Sequence, residues 1–167
     1  GPVQKSMEFQ TAMAKVGTIA DTNTVPLSKM QKEIINLSNA LGVNASTVAE
    51  DVYNAISAGQ DTANAVGFVE QATKLAKGGF AETGQALDVL TTILNAYGLE
   101  SSKTEQVSNM LIATQNRGKV TVAELSSVMG KVIPTANANN VALEQLCAGY
   151  SIMTARGIAA AETTTYM

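Results

Sequence analysis

The sequence predicts an all-α fold: an array of about eight or nine antiparallel helices joined by short Gly or Asn turns, compact or solenoid-like. Three observations predict it. Helix-ending residues recur about every twenty positions, at Gly42, Gly59, Gly79, Gly98, Gly118, Asn139 and Gly157. Several are followed by an apolar residue, as in Gly42-Val43, Gly79-Phe80, Gly98-Leu99 and Gly157-Ile158. A helix often ends on a left-handed Gly or Asn, and the next residue then packs back on the last turn. Apolar residues between these marks keep helical spacing, and no alternating strand pattern of useful length competes with them.

The first helix is expected over 3–16, and Thr18 to Pro26 as a loop with a short extended stretch through Thr18-Ile19-Ala20. Met30, Ile34, Leu37 and Leu41 then mark one face of a helix over 28–41. Further helices are expected over 45–58 and 62–77. Leu87, Leu90, Leu94 and Tyr97 carry a helix over 83–97. Another follows over 102–116. Leu125, Val128 and Val132 begin a helix at 121 that Pro134 is expected to end, because proline lacks the backbone donor and its ring crowds the preceding turn. Leu143, Leu146, Tyr150 and Met153 place a helix over 142–156, and one more starts near 159. Ser28 to Gln31, Ser102 to Glu105 and Thr121 to Glu124 have the spacing of capping boxes. Ala142 stands where a Ser or Thr cap is expected, at a cost of about 1 kcal/mol. Gly67 and Gly84 fit no part of the pattern.

Composition narrows the function. Of 167 residues, 46% are apolar, enough for a buried core, while 15% are charged, against about 25% in average soluble proteins. Aromatics are few and Trp is absent, so the core must be aliphatic, with Ala allowing close approach. Without any His, Ser-His-Asp and Cys-His nucleophile systems and His-ligated zinc are excluded. A single Cys permits neither an intrachain disulfide nor a Cys cluster for metal. The net charge of −3, with scattered Lys and Arg, does not suit duplex nucleic acid. No apolar run reaches the length of a membrane span. Gly1-Pro2 resembles the remnant left by tag removal, and residues 3–167 are expected to form a single helical domain cut from a longer chain.

Individual residues that could carry chemistry have a plainer explanation. Glu50 and Asp51 are expected in the first turn of a helix, where acids complement the dipole, and Asp61 as an N-cap before Thr62. Cys147 follows core Leu146 with no basic neighbour to lower its pKa, which suits packing rather than nucleophilic attack. Gly78-Gly79 lacks the Lys-Ser/Thr and the preceding strand of a phosphate loop. Lys74 and Lys77 complement a helix end. Met30 and Met153 fall on apolar stripes and are expected in the core. The sequence therefore names no catalytic, cofactor-binding or metal-ligating residue and calls for no cofactor.

Longer strings add a resemblance. Ala55-Ile-Ser-Ala-Gly59, Phe68-Val69, Ala81 to Ala86 and Leu94-Asn-Ala-Tyr-Gly98 resemble the conserved domain of phage tail tape measure proteins. Val120 to Leu125, Leu143 to Met153, Thr154-Ala-Arg-Gly-Ile158 and Ala161-Glu-Thr-Thr-Thr165 are similar to that family's closing pattern. The resemblance covers about residues 7–167. It implies a non-enzymatic structural protein of a phage or prophage tail, acting in tail assembly, length determination and genome delivery. Implied partners are tail tube subunits, tail assembly chaperones, tail tip or baseplate proteins and further copies of itself. The implied location is the tail interior, after assembly in the bacterial cytoplasm. The alternative is a bacterial helical adaptor or solenoid that binds a protein partner.

Overall fold

A computed structural model describes residues 6–166. Among these, helices α1 (Met7–Ile19), α2 (Leu27–Leu41), α3 (Ala45–Ser57), α4 (Thr62–Gly78), α5 (Thr83–Ala96), α6 (Thr104–Arg117), α7 (Val122–Ala138), α8 (Leu143–Ala155) and α9 (Ala160–Thr165) follow one another. A 3-10 turn, Ser101–Lys103, leads into α6, and no strand occurs among the described residues. The all-α expectation holds. Gly1-Pro2 and the expected start of the first helix at residue 3 lie outside the described residues. The chain divides into two compact units, one through Glu70 and one from Gln71, with the division falling inside α4.

In the first unit α1 and α2 both pack on α3. These helices bury Phe9, Met13 and Val16, then Met30, Ile34 and Leu37, then Val48 and Val52. Ser6 caps α1 by accepting from the Phe9 N–H at 3.0 Å. Asn44 caps α3 by accepting from the Ser46 N–H at 2.8 Å. Helix α1 continues to Ile19, so the extended stretch expected at Thr18-Ile19 is helical. Its last turn is closed by the Ala20 N–H on the Val16 carbonyl and by the Thr18 hydroxyl on the Lys15 carbonyl. The Asp21 N–H then donates to the Thr62 hydroxyl at 2.8 Å, tying the loop to the start of α4.

In the second unit α5 packs on α7, α6 on α8 and α7 on α9. The core holds Leu90, Ile93, Leu94, Leu111, Leu125, Met129, Ile133, Leu146 and Tyr150, all buried. Helix α7 does not stop at Pro134 but runs to Ala138. An interior proline costs about 3 kcal/mol. Burial of Ile133 and Ala136 on either side of it offsets that cost. The Asn137 amide also donates to the Ala96 carbonyl at 2.6 Å and pins the last turn to α5.

The turns confirm the punctuation and correct its cause at two marks. Gly42, Gly59, Gly98, Gly157 and Asn140 are left-handed, each followed by an N–H that reaches back five residues, such as Val43 to Ser38 and Val141 to Ala136. Gly79 is not. The left-handed residue after α4 is Phe80, with φ 54°, and Gly79 is required for close approach: a Cβ there would lie 2.5 Å from Val122 Cβ. Gln115 holds that approach, its amide donating to the Gly78 carbonyl while its oxygen accepts from the Val122 N–H. Gly118 has extended backbone, and a Cβ on it would run into the Thr154 hydroxyl and the Ser151 backbone.

Of the three expected capping boxes only Thr121 with Glu124 forms, through reciprocal bonds of 3.1 and 3.2 Å. Ser28 lies inside α2, which starts after Pro26, and Ser102 lies in the 3-10 turn. Ala142 has no side-chain acceptor, yet Gln145 accepts its N–H at 3.1 Å and supplies half of a box. Gln85 does the same for Glu82 at 2.9 Å.

The helix starts reveal a period. Helices α1, α3, α5, α7 and α9 begin at residues 7, 45, 83, 122 and 160. Hydrogen bonds between non-neighbouring helices of the second unit, and between the turns that bound them, span about one such interval: Ser126 to the Gln85 carbonyl, Asn137 to Ala96 and Ser151 to Thr114 between helices, and Tyr97 to Val141 between turns. That unit is therefore a stack of two-helix repeats, each resting on the one before.

Candidate functional site

The residues singled out for chemistry do not converge on one catalytic arrangement. Glu50 and Asp51 are not in the first turn of α3 but in its second, the sixth and seventh residues from Ala45. The dipole explanation for them therefore fails. Glu50 instead forms an ion pair with Lys15 of α1 at 2.9 Å, and the Lys15 ammonium lies 4.7 Å from the centroid of the Tyr53 ring. Burial, and secondarily the neighbouring Glu50 carboxylate, push Asp51 up to about 6. Asp61 directly precedes α4, and its carbonyl accepts from the Asn64 N–H at 2.9 Å. Lys77 lies in the last turn of α4, where a cation suits the helix dipole. Among the described residues no group of three or more acidic or Cys side chains is placed to hold a metal ion. Nor is any helix of these residues long and apolar enough to cross a membrane.

Cys147 is buried in α8, and burial raises its thiol above the ordinary value, which keeps it protonated at neutral pH. Met30 is in the core as expected, whereas Met153 is only half-buried. That difference points to the surface of α8, which borders grooves on both sides. The larger, about 620 Å³, lies between α6 and α8 over Met110, Ala113, Ala148 and Ile152, with Arg117 and Arg156 at one end and Glu144 at the other. The smaller, about 280 Å³, lies between α7 and α8 over Val132, Ala136, Leu146, Gly149 and Met153. Small and aliphatic linings of this kind accept packed side chains; they carry no paired nucleophile and base. The site this geometry offers is apolar groove surface on α8.

A profile described as phage-related minor tail protein matches residues 31–167. The chain belongs to this family. Two relatives bear on it. The probable tape measure protein of Clostridium phage phiCD119 is 36% identical over 143 residues, covering 83% of this chain and 15% of the relative. The tape measure protein of Pneumococcus phage Dp-1 is 23% identical over 158 residues, covering 95% of this chain and 14% of the relative. The chain thus spans about one seventh of the length of these relatives. No solved structure matches it. The resemblance read from the Ala-, Gly- and Thr-rich strings is the correct family, and a helical adaptor outside it is not favoured. The α7–α8 groove was not legible in sequence: Met153 sits on a regular apolar stripe, and only its half-exposure marks it.

Proposed function

We propose that this segment is a structural, non-catalytic domain of a tail tape measure protein, acting in phage tail assembly, in setting tail length and in genome delivery. The observation that carries it is the 36% identity to the probable tape measure protein of phage phiCD119 over most of the chain. The partners that suit this role are tail tube subunits, tail assembly chaperones, tail tip or baseplate proteins and further copies of the same chain. Its place is the tail interior, after assembly in the host cytoplasm. Residues 3–167 act here as one helical domain of the longer protein.

Within this reading the segment sets length as an assembly or anchoring module rather than as a length of ruler, which its short helices support. A single helix rises 1.5 Å per residue, so 167 residues drawn out would reach about 250 Å. The longest helices among the described residues have 17 residues, about 25 Å each. Deleting residues 83–116 in frame from the parent gene tests the reading, with tails measured by electron microscopy. Failed or aberrant tails are expected. Normal tails about 50 Å shorter, the helical rise of the deleted residues, would make the domain part of the ruler instead. Absence of the protein from purified tails would overturn the tail assignment altogether.

A further inference from the structure

We propose that the groove between α7 and α8 is the seat of the next helix of the stack, supplied by the continuation of the chain beyond Met167. The repeat shows what covers the corresponding surface one interval earlier. Helix α7 begins 39 residues after α5, and α8 begins 39 after α6. Shifting by that interval carries Tyr97, Val107, Met110 and Thr114 onto Ala136, Leu146, Gly149 and Met153. Tyr97, Val107 and Met110 line one cavity together with Ala142, Leu143 and Glu144 at the start of α8. The Tyr97 hydroxyl donates to the Val141 carbonyl at 2.9 Å, and the Ser151 hydroxyl of α8 donates to the Thr114 carbonyl. Their counterparts Ala136, Leu146, Gly149 and Met153 line the open groove.

Helix α9 supplies the second argument. It packs on α7 as α7 packs on α5, so it is the first helix of a further pair. In the preceding step of the second unit the second helix lies along the second helix before it: α8 lies along α6. The same step places the occupant on α8. By the 39-residue interval this helix begins about 15 residues past Met167. Relatives about seven times as long as the matched segment have ample further chain to supply it. The occupant is an amphipathic helix like α8, with aliphatic residues at i, i+3 and i+7 facing Val132, Leu146 and Met153.

The test compares the 167-residue chain with one lengthened by about 40 residues of its own reading frame, one repeat. Met153→Cys is introduced in a Cys147→Ala background and its labelling by a maleimide is timed. Thr135→Cys, at an exposed position on the α7 side of the same groove, is the second probe should Met153→Cys fold poorly. Labelling at least about tenfold slower in the lengthened chain, at a rate independent of protein concentration, is the expected result; a tenfold change corresponds to about 1.4 kcal/mol of protection. Equal rates in the two chains overturn the proposal. Protection that appears in the 167-residue chain and grows with concentration also overturns it, because a second copy would then fill the seat.

Discussion

Gly118→Ala is a one-carbon change whose cost can be worked from the second unit's packing. The backbone at Gly118 is extended, φ −109° and ψ −169°, a conformation open to any residue, so no strain of the chain itself enters. The obstacle lies across the stack. The added Cβ would overlap the Thr154 hydroxyl and stand 3.0 Å from Ser151 Cα and 3.1 Å from the Ser151 carbonyl oxygen. Thr154 cannot turn away freely. It is 1% exposed, its oxygen accepts the Lys119 N–H at 3.1 Å, and its hydroxyl donates to the Tyr150 carbonyl. Relief therefore requires moving α8 off the turn between α6 and α7. Overpacking of this kind costs about 1–3 kcal/mol, and losing the bond to Lys119 adds about 1 kcal/mol. We expect a loss of about 2–4 kcal/mol by urea unfolding followed by far-ultraviolet circular dichroism. Gly130→Ala is the control, because it lies on the exposed side of α7 with nothing within 4 Å of its added Cβ. It should stabilise by about 0.5–1 kcal/mol through helix propensity. Adding Thr154→Ala to Gly118→Ala should cost less than the two single changes summed. A Gly118→Ala midpoint equal to that of the natural chain would refute the close-approach reasoning.

Three further outcomes follow from single residues. Asp51 has a folded-state pKa raised from 3.8 to about 6 by burial and Glu50. Its contribution is therefore fully present below about pH 3.8 and is lost as pH rises through about 6. A shift of that size is worth about 3 kcal/mol, reduced to about 1–2 kcal/mol by water around the half-buried carboxyl. Asp51→Asn should match the natural chain near pH 4 and exceed it by that amount at pH 7.5 in denaturant titrations; a gap that does not widen with pH contradicts the burial argument. Phe80→Gly should raise stability by about 0.5–1 kcal/mol, because Phe80 is 77% exposed and holds a left-handed φ of 54° that a side chain disfavours; a drop in midpoint would show that the ring makes a contact this structure lacks. Cys147→Ala should leave particle infectivity unchanged, since the buried thiol is held protonated; loss of infectivity with intact folding would contradict that.

Local rules served well wherever a residue's neighbours in sequence are also its neighbours in space. The left-handed glycines and Asn140 were legible because a helix end makes its demands on the residues beside it. Gly79 and Gly118 are not the same device, since the nearest atoms that exclude a side chain there belong to Val122 and to Thr154 and Ser151, more than 30 residues away. Pro134 went the same way: the ring's penalty is local and visible, while the burial of Ile133 and Ala136 that outweighs it is tertiary. Glu50 and Asp51 were misplaced by one helical turn, which hid both the ion pair with Lys15 and the raised Asp51 carboxyl.

The period shows why punctuation can outlast identity. Stacking one helix pair on the next constrains two things, the interval between turns and the presence of an apolar stripe facing the neighbour. Any aliphatic residue can satisfy the stripe, so Leu90, Ile93 and Leu94 of α5 correspond to Met129, Val132 and Ile133 of α7 with no residue in common. The turns are less free. At each, the backbone must reverse within a few residues, by a left-handed Gly or Asn or by a residue small enough to let another helix touch. The 38- and 39-residue steps between helix starts are matched by the 37- and 39-residue spacing of Gly42, Gly79, Gly118 and Gly157, although the helices between them differ in sequence. A surface such as the α7–α8 groove belongs to that spacing rather than to any one residue, and it becomes visible only when one repeat is laid over the next.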